Sequence, residues 1–410
     1  MAKDVHPPRG MRDFLPQEKG RREYVLNKIR QVYRSHGFQE IETPALEDID
    51  RLTSGQGGDN EKLAFRVMKR GAELESALSA QVSDTDGLAD LGLRYDLTVP
   101  LTRYYATNHA KLPRVFKALQ TGSVWRAERP QKGRYRQFVQ CDIDIIGDSS
   151  ELAEIELLNA SLDALAEIGI SDATIRVNHR ELLIELLDSL GVPVDQRGSA
   201  MITIDKLDKI FAEGVVSELA AKFGSEVAAA AQIWLTSLGS SPSAPDRLAN
   251  IFLAIENRHG AGKLRFDPTL VRGMGYYTGP IFEIEHPKSG SSIGGGGRYD
   301  GMVGRWLGTD APAVGISIGF ERAVELVELD ESLARSVVLI VDSASPKAIA
   351  NALEMQAQAI AEGYRVRIEQ RPKKINLLLD SMLENGFNTF AQVGEDSINF
   401  ADLELRSIAN

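Results

Sequence analysis

The stretch that most constrains this chain is Trp125-Arg-Ala-Glu-Arg-Pro-Gln-Lys-Gly-Arg-Tyr-Arg-Gln-Phe-Val-Gln-Cys-Asp-Ile-Asp-Ile-Ile-Gly147. Its first half sets Arg126, Arg129, Lys132, Arg134 and Arg136 against one acid, Glu128. A guanidinium is a planar fork that matches phosphate oxygens, so a loop of this charge fits a polyphosphate. The second half alternates. Phe138, Gln140, Asp142 and Asp144 fall on one side of a strand, and Val139, Cys141, Ile143 and Ile145 on the other. Carboxylates beside a phosphate-seeking loop imply one site for a nucleotide and a positively charged small molecule. The competing reading is a solvated basic turn. The number of guanidiniums, and a Phe138 that interrupts the polar face, weigh against it.

Composition narrows the class. The chain has 410 residues, 43% of them hydrophobic, enough for a large core and two or three units. No apolar run approaches membrane-helix length, and the N-terminus has no apolar signal region. A single cysteine excludes an internal disulfide framework and fits a reducing, cytoplasmic compartment. The six histidines are scattered, so no resident protein-held metal is expected. A net charge of −11 disfavours a globally basic nucleic-acid binder but permits a local basic patch. No Ser-His-Asp set or P-loop occurs, so the expected chemistry is positioning and electrostatics by arginines.

Periodicity orders the rest. Gln17 to His36 predicts an amphipathic helix ended by Gly37, and Phe38 to Thr43 a short strand stopped by Pro44. Glu73 to Asp90 reads as a long surface loop, and Leu101 to His109 as a helix. Asp148 and Glu151 have capping-box spacing ahead of a helix to Ile168. From His179 to Gly262 helices follow one another (181–190, 200–211, 225–238 and 245–258), which reads as an inserted helical subdomain. Strand character returns from Leu264 to Glu285 and from Ala313 to Gly319, before a helix from Phe320 to Leu329. Strands and helices in separated blocks predict an α+β fold with an antiparallel core. Beyond a linker at 332–336 the pattern is β-α-β-α-β, a small α/β domain with parallel pairing. The expected domains are 1–331, with the insertion at about 179–262, and 332–410.

Three later clusters carry candidate chemistry. In Leu270-Val-Arg-Gly-Met-Gly-Tyr-Tyr277, an arginine held by a strand among glycines can approach a ligand, and Tyr276 and Tyr277 can line a flat pocket. A tyrosine-rich core strand accounts for it equally well. The run Gly294–Gly297 before Arg298 matches no phosphate-loop spacing; its glycines could let a strand pass under an adenine or a substrate, but a flexible loop is the better reading. In Gly315-Ile-Ser-Ile-Gly-Phe-Glu-Arg322 a cation in a first helical turn opposes the helix dipole, which makes sense if a phosphate lies there. Pairing of Arg322 with Glu321 or Glu325 is the alternative.

At these residues the sequence resembles the histidyl-tRNA synthetases, a class II aminoacyl-tRNA synthetase family, over nearly its whole length. Arg9 to Pro16 is similar to the family's N-terminal segment, and Gly37 to Pro44 to the first class II motif. Leu93-Arg-Tyr-Asp-Leu-Thr-Val-Pro100 resembles the branch with aspartate where others have glutamate. Trp125 to Asp144 matches the second motif, Arg272-Gly-Met-Gly-Tyr-Tyr277 the histidine-specific segment, and Gly319-Phe-Glu-Arg322 the third motif. The helical block fits the family's insertion, and the tail its anticodon-binding domain.

The resemblance implies the following expectations. Histidine and ATP give histidyl-adenylate and pyrophosphate, and the histidyl group passes to the 3′ end of tRNA(His), in a homodimer with Mg2+ accompanying ATP. Arg126, Arg272 and Gln140 are the implied catalytic residues. Asp96, Leu97, Thr98, Arg126, Gln140, Asp144, Arg272, Tyr276 and Tyr277 are the implied histidine contacts. Arg126, Glu128 and Arg322 are implied for ATP, and Arg129, Gln131 and Arg134 for the tRNA acceptor end. Gly275 replaces the family's usual aspartate and Val139 a common histidine. The chain ends soon after Leu403 to Ser407, which leaves anticodon contacts open; Arg371, Lys373 and Lys374 are candidate backbone contacts or a solvated helix start. The rival reading is a non-aminoacylating paralogue, the regulatory subunit of ATP phosphoribosyltransferase, which lacks the full arginine set and the tail.

Overall fold

The computed structural model describes residues 5–408 except 55–57, 83, 86, 131–132, 239–241, 273–275, 329–334 and 343. It divides into two compact units, Met1–Asp13 with Tyr24–Val327, and Phe14–Glu23 with Glu328–Asn410.

The first unit carries, in chain order, β1 (Gln39–Glu40), β2 (Leu46–Asp48), β3 (Phe65–Met68), β4 (Ala89–Leu93), β5 (Phe116–Trp125), β6 (Gln137–Ile146), β7 (Thr174–His179), β8 (Leu264–Phe266), β9 (Pro280–Glu285), β10 (Gly294–Arg298) and β11 (Ala313–Gly319). One eight-stranded sheet runs β1-β5-β6-β11-β10-β9-β7-β8, and β2-β4-β3 form a smaller one. The outermost pairs of the large sheet, β1–β5 and β7–β8, are parallel, and the pairs between them antiparallel. This is the α+β core the sequence predicts. The helix Glu151–Glu167 covers it through Leu157, Leu158, Ala160 and Leu165, all sealed from solvent.

Helices Arg180–Ser189, Arg197–Ile204, Leu207–Phe223, Ser225–Ser237 and Ala249–His259 lie between β7 and β8. They bury Leu187, Met201, Leu219 and Ala231 together with Leu270 and Val271. The helix expected to end at Phe211 is instead two helices. The first ends at Ile204, and the second is kinked at Phe211, whose φ of 58° is unfavourable for a bulky residue.

In the second unit β12 (Ser336–Val341), β13 (Arg365–Gln370), β14 (Thr389–Val393) and β15 (Arg406–Ser407) form a sheet in the order β13-β12-β14-β15. The first three are parallel. Val337, Leu339 and Val341 pack with the helix Pro346–Ala361, while Val338 and Ile340 pack with Met382 of the helix Ile375–Glu384. Burial on both faces explains why β12 is an unbroken apolar run.

Four expectations fail. Within 73–90, residues Gly71–Ser79 are a helix with Ala77 buried, and β4 begins at Ala89. Ala72, Leu74, Ala77 and Leu78 have helix propensity that the polar surroundings masked. The capping box does not form. Ser150 is the N-cap of the helix Glu151–Glu167, and Asp148 Oδ1 accepts from Ser150 N and Oγ. The helix after β11 ends at Leu326. Most consequential, Gly294–Gly297 is not a loop but most of a central, buried strand.

Candidate functional site

That glycine strand makes the site. Gly294–Arg298 pairs with both β9 and β11, and its bare backbone leaves room above the sheet. A Cβ on Gly296 would lie 1.9 Å from Gly315 O, and one on Gly295 2.7 Å from Arg272 Cζ. A Cβ on Gly315 would lie 1.9 Å from Asp144 Oδ1. Register explains the small residues of β11: Gly315, Ser317 and Gly319 stand opposite Asp144, Asp142 and Gln140 of β6. The result is a cavity of about 610 Å3 whose wall includes Thr98, Arg126, Glu128, Arg134, Gln140, Asp144, Arg272, Tyr276, Tyr277 and Arg322.

One end of the cavity is acidic. Asp144 is 2% exposed and Asp142 4%. Tyr299 Oη donates to Asp144 Oδ1 at 2.6 Å. Asp144 Oδ2 and Gln140 Oε1 are buried without a partner among the described residues. Buried acceptors rarely stay unsatisfied, so this end calls for a ligand bearing N–H donors. Gln140 Nε2 donates to Ser317 Oγ at 3.2 Å and, more weakly, to Asp142. Burial raises the Asp142 carboxyl well above its ordinary range, and the neighbouring Asp144 raises it further. Tyr276 and Tyr277 close the wall with ring centroids 4.4 Å apart.

Burial also raises Asp144 to about 7, with Asp96 adding to the shift and the Tyr299 hydroxyl opposing it. The folded chain therefore keeps a proton that the unfolded chain releases near pH 4. This stabilisation is complete below pH 4 and is lost as pH rises through 7. Asp144→Asn should accordingly raise the melting temperature more at pH 8 than at pH 5, by about 2–5 °C in histidine-free buffer. An equal change at both pH values would mean that Asp144 titrates as an ordinary carboxylate.

The other end is basic. Arg126 Nε donates to Tyr95 O at 3.0 Å, and its guanidinium lies 5.0 Å from the Phe138 ring centre. Arg272 Nη1 meets Glu283 Oε2 at 2.6 Å. Arg322 donates to Ser292 O rather than pairing with Glu321, which is engaged by Arg12 at 2.6 Å. Burial lowers the Arg322 pKa, and the charges of Arg134 and Arg272 lower it further. Guanidiniums that converge in this way offer further N–H groups that a polyphosphate would satisfy.

Not every expected residue faces the cavity. Asp96 is buried beside it, its Oδ1 capping Val99 N at 3.0 Å. Leu97 is sealed from solvent, and its carbonyl accepts from Gln120 Nε2. Arg272 sits on irregular chain rather than on a strand, because β9 starts only at Pro280. Arg129 is exposed, and Gln131 and Gly275 lie outside the described residues. Val139 contributes its backbone, which donates to Glu321 Oε1. Sequence reasoning missed Tyr299 and Glu283. It placed Asp142 on the right face but gave it no role.

Residues 10–323 match the family model described as histidyl-tRNA synthetase. The chain belongs to the histidyl-tRNA synthetase family. The histidine–tRNA ligase of Leifsonia xyli subsp. xyli (strain CTCB07) is 51% identical to it, covering 97% of each chain. The probable histidine–tRNA ligase of Tropheryma whipplei (strain Twist) is 43% identical over 94% of this chain and 95% of its own. The crystal structure of histidyl-tRNA synthetase from Nostoc sp. PCC 7120 superposes with a TM-score of 0.78 at 25% identity, covering 99% of this chain and 95% of that one. A Bacillus halodurans protein described as an ATP phosphoribosyltransferase regulatory subunit/histidyl-tRNA synthetase shares the fold, with a TM-score of 0.70 at 20% identity over 97% and 99%. Histidine activation and tRNA charging are the activities that histidyl-tRNA synthetase membership carries, and the regulatory reading is the less supported.

Proposed function

We propose that the bipolar cavity is where histidine meets ATP, with its acids reading the amino acid and its arginines holding the phosphates. The observation that carries this is the pairing of unpartnered Asp144 Oδ2 and Gln140 Oε1 with guanidiniums at the opposite end. A histidine carboxylate oxygen attacks the α-phosphorus, the bond to the bridging β-oxygen breaks, and pyrophosphate leaves. A ribose hydroxyl at the tRNA 3′ end then attacks the histidyl carbonyl, and AMP leaves. No protein nucleophile is needed; catalysis is alignment and charge stabilisation.

Arg126 bridges the histidine carboxylate and the α-phosphate, and Arg272 neutralises charge as it builds there. Gln140 and Thr98 receive the ammonium group with help from the buried charge of Asp96. Asp144, Tyr276 and Tyr277 read the imidazole, and Asp144 stays fixed by Tyr299. Glu128 contacts the adenine amino group and Arg322 the γ-phosphate. Arg129, Gln131 and Arg134 meet the acceptor end of tRNA(His). No group of three or more His, Cys, Asp or Glu side chains among the described residues is arranged to hold a metal. Magnesium usually binds through substrate phosphates with few protein ligands, and here it would neutralise charge on the phosphates of ATP. Among the described residues no helix is long and apolar enough to cross a membrane. We place the enzyme in the cytoplasm as a homodimer, with residues 332–410 as its anticodon-binding domain.

The test is histidine-dependent ATP–pyrophosphate exchange by the purified chain with magnesium, followed by charging of tRNA(His). Exchange with histidine but not with other amino acids is the expected result. Absence of exchange would favour the regulatory role. Charging that is indifferent to an altered anticodon would remove that duty from the tail.

A further inference from the structure

Glu283 stands between two cavities. One is the pocket above. The other, about 560 Å3, is lined by Arg176, Arg265, Asp267, Glu285 and His286 as well as by Glu283. Strand register puts them in relation. Asp142 (β6), Ser317 (β11), Gly295 (β10), Glu283 (β9) and Arg176 (β7) are successive cross-strand partners, one row across the sheet.

The two oxygens of Glu283 are divided between arginines. Oε2 accepts from Arg272 Nη1 at 2.6 Å, and Oε1 from Arg176 Nη1 at 3.1 Å. Arg176 is itself fixed. Its Nε donates to Asp267 Oδ2 at 2.6 Å, and Asp267 Oδ1 accepts from Thr269 N and Oγ1. Arg176 Nη1 also meets Glu285 Oε1 at 3.2 Å and Asp208 Oδ2 at 3.6 Å. The Arg176 side chain is 10% exposed and that of Glu283 18%. Arg272, at 32%, has the loosest setting of the three. It rises from irregular chain, its guanidinium passes over the bare backbone of Gly295, and its one further polar contact among the described residues is Ser292 Oγ at 3.4 Å. Arg134 and Arg272 both lie close enough to Arg322 for their charges to lower its pKa. A long side chain in that setting needs a fixed anion to give it one direction.

We propose that Glu283 and Arg176 are positioning residues for Arg272. Arg176, anchored on Asp267, orients the Glu283 carboxylate. That carboxylate takes one nitrogen of Arg272 and leaves the other N–H groups for the phosphate undergoing transfer. Arg176 also balances the charge of Glu283, which would otherwise face the incoming polyphosphate. This role rests on the reading of the pocket as an adenylate-forming site.

Single-turnover adenylate formation by the full chain, with ATP, histidine and magnesium, tests it. Glu283→Ala should slow the step about tenfold to a hundredfold, with Glu283→Gln between it and wild type. The apparent KM for ATP and for histidine should stay within about threefold. Arg176→Met should slow the step in the same sense by less. The deciding measurement is the double variant. In an Arg272→Ala background Glu283→Ala should cost less than about twofold more, because Glu283 works through Arg272. Factors that multiply would overturn the positioning role, as would a wild-type rate in Glu283→Ala. Where Glu283→Ala melts early, Glu283→Gln, which keeps the side-chain volume, carries the same cycle. A wild-type chain that forms no adenylate would instead remove the functional reading itself.

Discussion

Arg272→Ala is expected to lower histidine-dependent ATP–pyrophosphate exchange by about a thousandfold or more, while ATP and histidine affinities change by less than about tenfold. The asymmetry follows from where the guanidinium sits. It is at the basic end of the cavity, above Gly295 and held by Glu283, where the proposed reaction would build charge on the α-phosphate as the bond to pyrophosphate breaks. An interaction that strengthens only as that charge develops acts on the rate and leaves binding nearly unchanged. Equilibrium dialysis for each ligand, beside exchange at saturating substrate, separates the two. Exchange within tenfold of wild type would show that Arg126 and Arg322 suffice.

Asp144→Ala has the opposite signature. It should weaken histidine by about a hundredfold and ATP by less than about threefold. The carboxylate is buried, one oxygen held by Tyr299 and the other without a partner, so its loss removes a charge-assisted bond in a dry setting. Gly315→Ala offers an independent check. It keeps the carboxylate but sets a methyl 1.9 Å from the present position of Asp144 Oδ1, so the carboxylate must shift, and it should likewise weaken histidine selectively. Titration calorimetry with each ligand reads both variants. Equal losses for histidine and ATP would mean that Asp144 serves the fold.

The sequence exposed those parts of the site that are governed by local periodicity. Alternation along β6 placed Gln140, Asp142 and Asp144 on one face, and the charge of the loop before it announced an anion. The βαβαβ tail was legible for the same reason, since β12 and its helices follow simple hydrophobic periods. What sequence could not show depends on register between distant strands. Gly294–Gly297 has no side chains and so no period, and its place in the sheet comes from pairing with Phe282 and Ile316 on either side. Glu283 is an unremarkable polar residue on an edge of apolar ones until pairing sets it opposite Arg176. Tyr299 reaches Asp144 across 155 positions. The helix Gly71–Ser79 was hidden for a different reason, because it is short and largely solvated and leaves only Ala77 buried.

The glycine strand has a thermodynamic consequence for binding. A surface of side chains must surrender rotamers when a ligand settles on it, each costing about 0.5–1.5 kcal/mol for a long side chain. At Gly294, Gly296 and Gly315 the cavity lining has no rotamers of its own to surrender. The conformational freedom of these glycines was given up when the sheet formed, before any substrate arrived. A substrate bound there, as proposed, would meet a surface whose ordering cost belongs to folding.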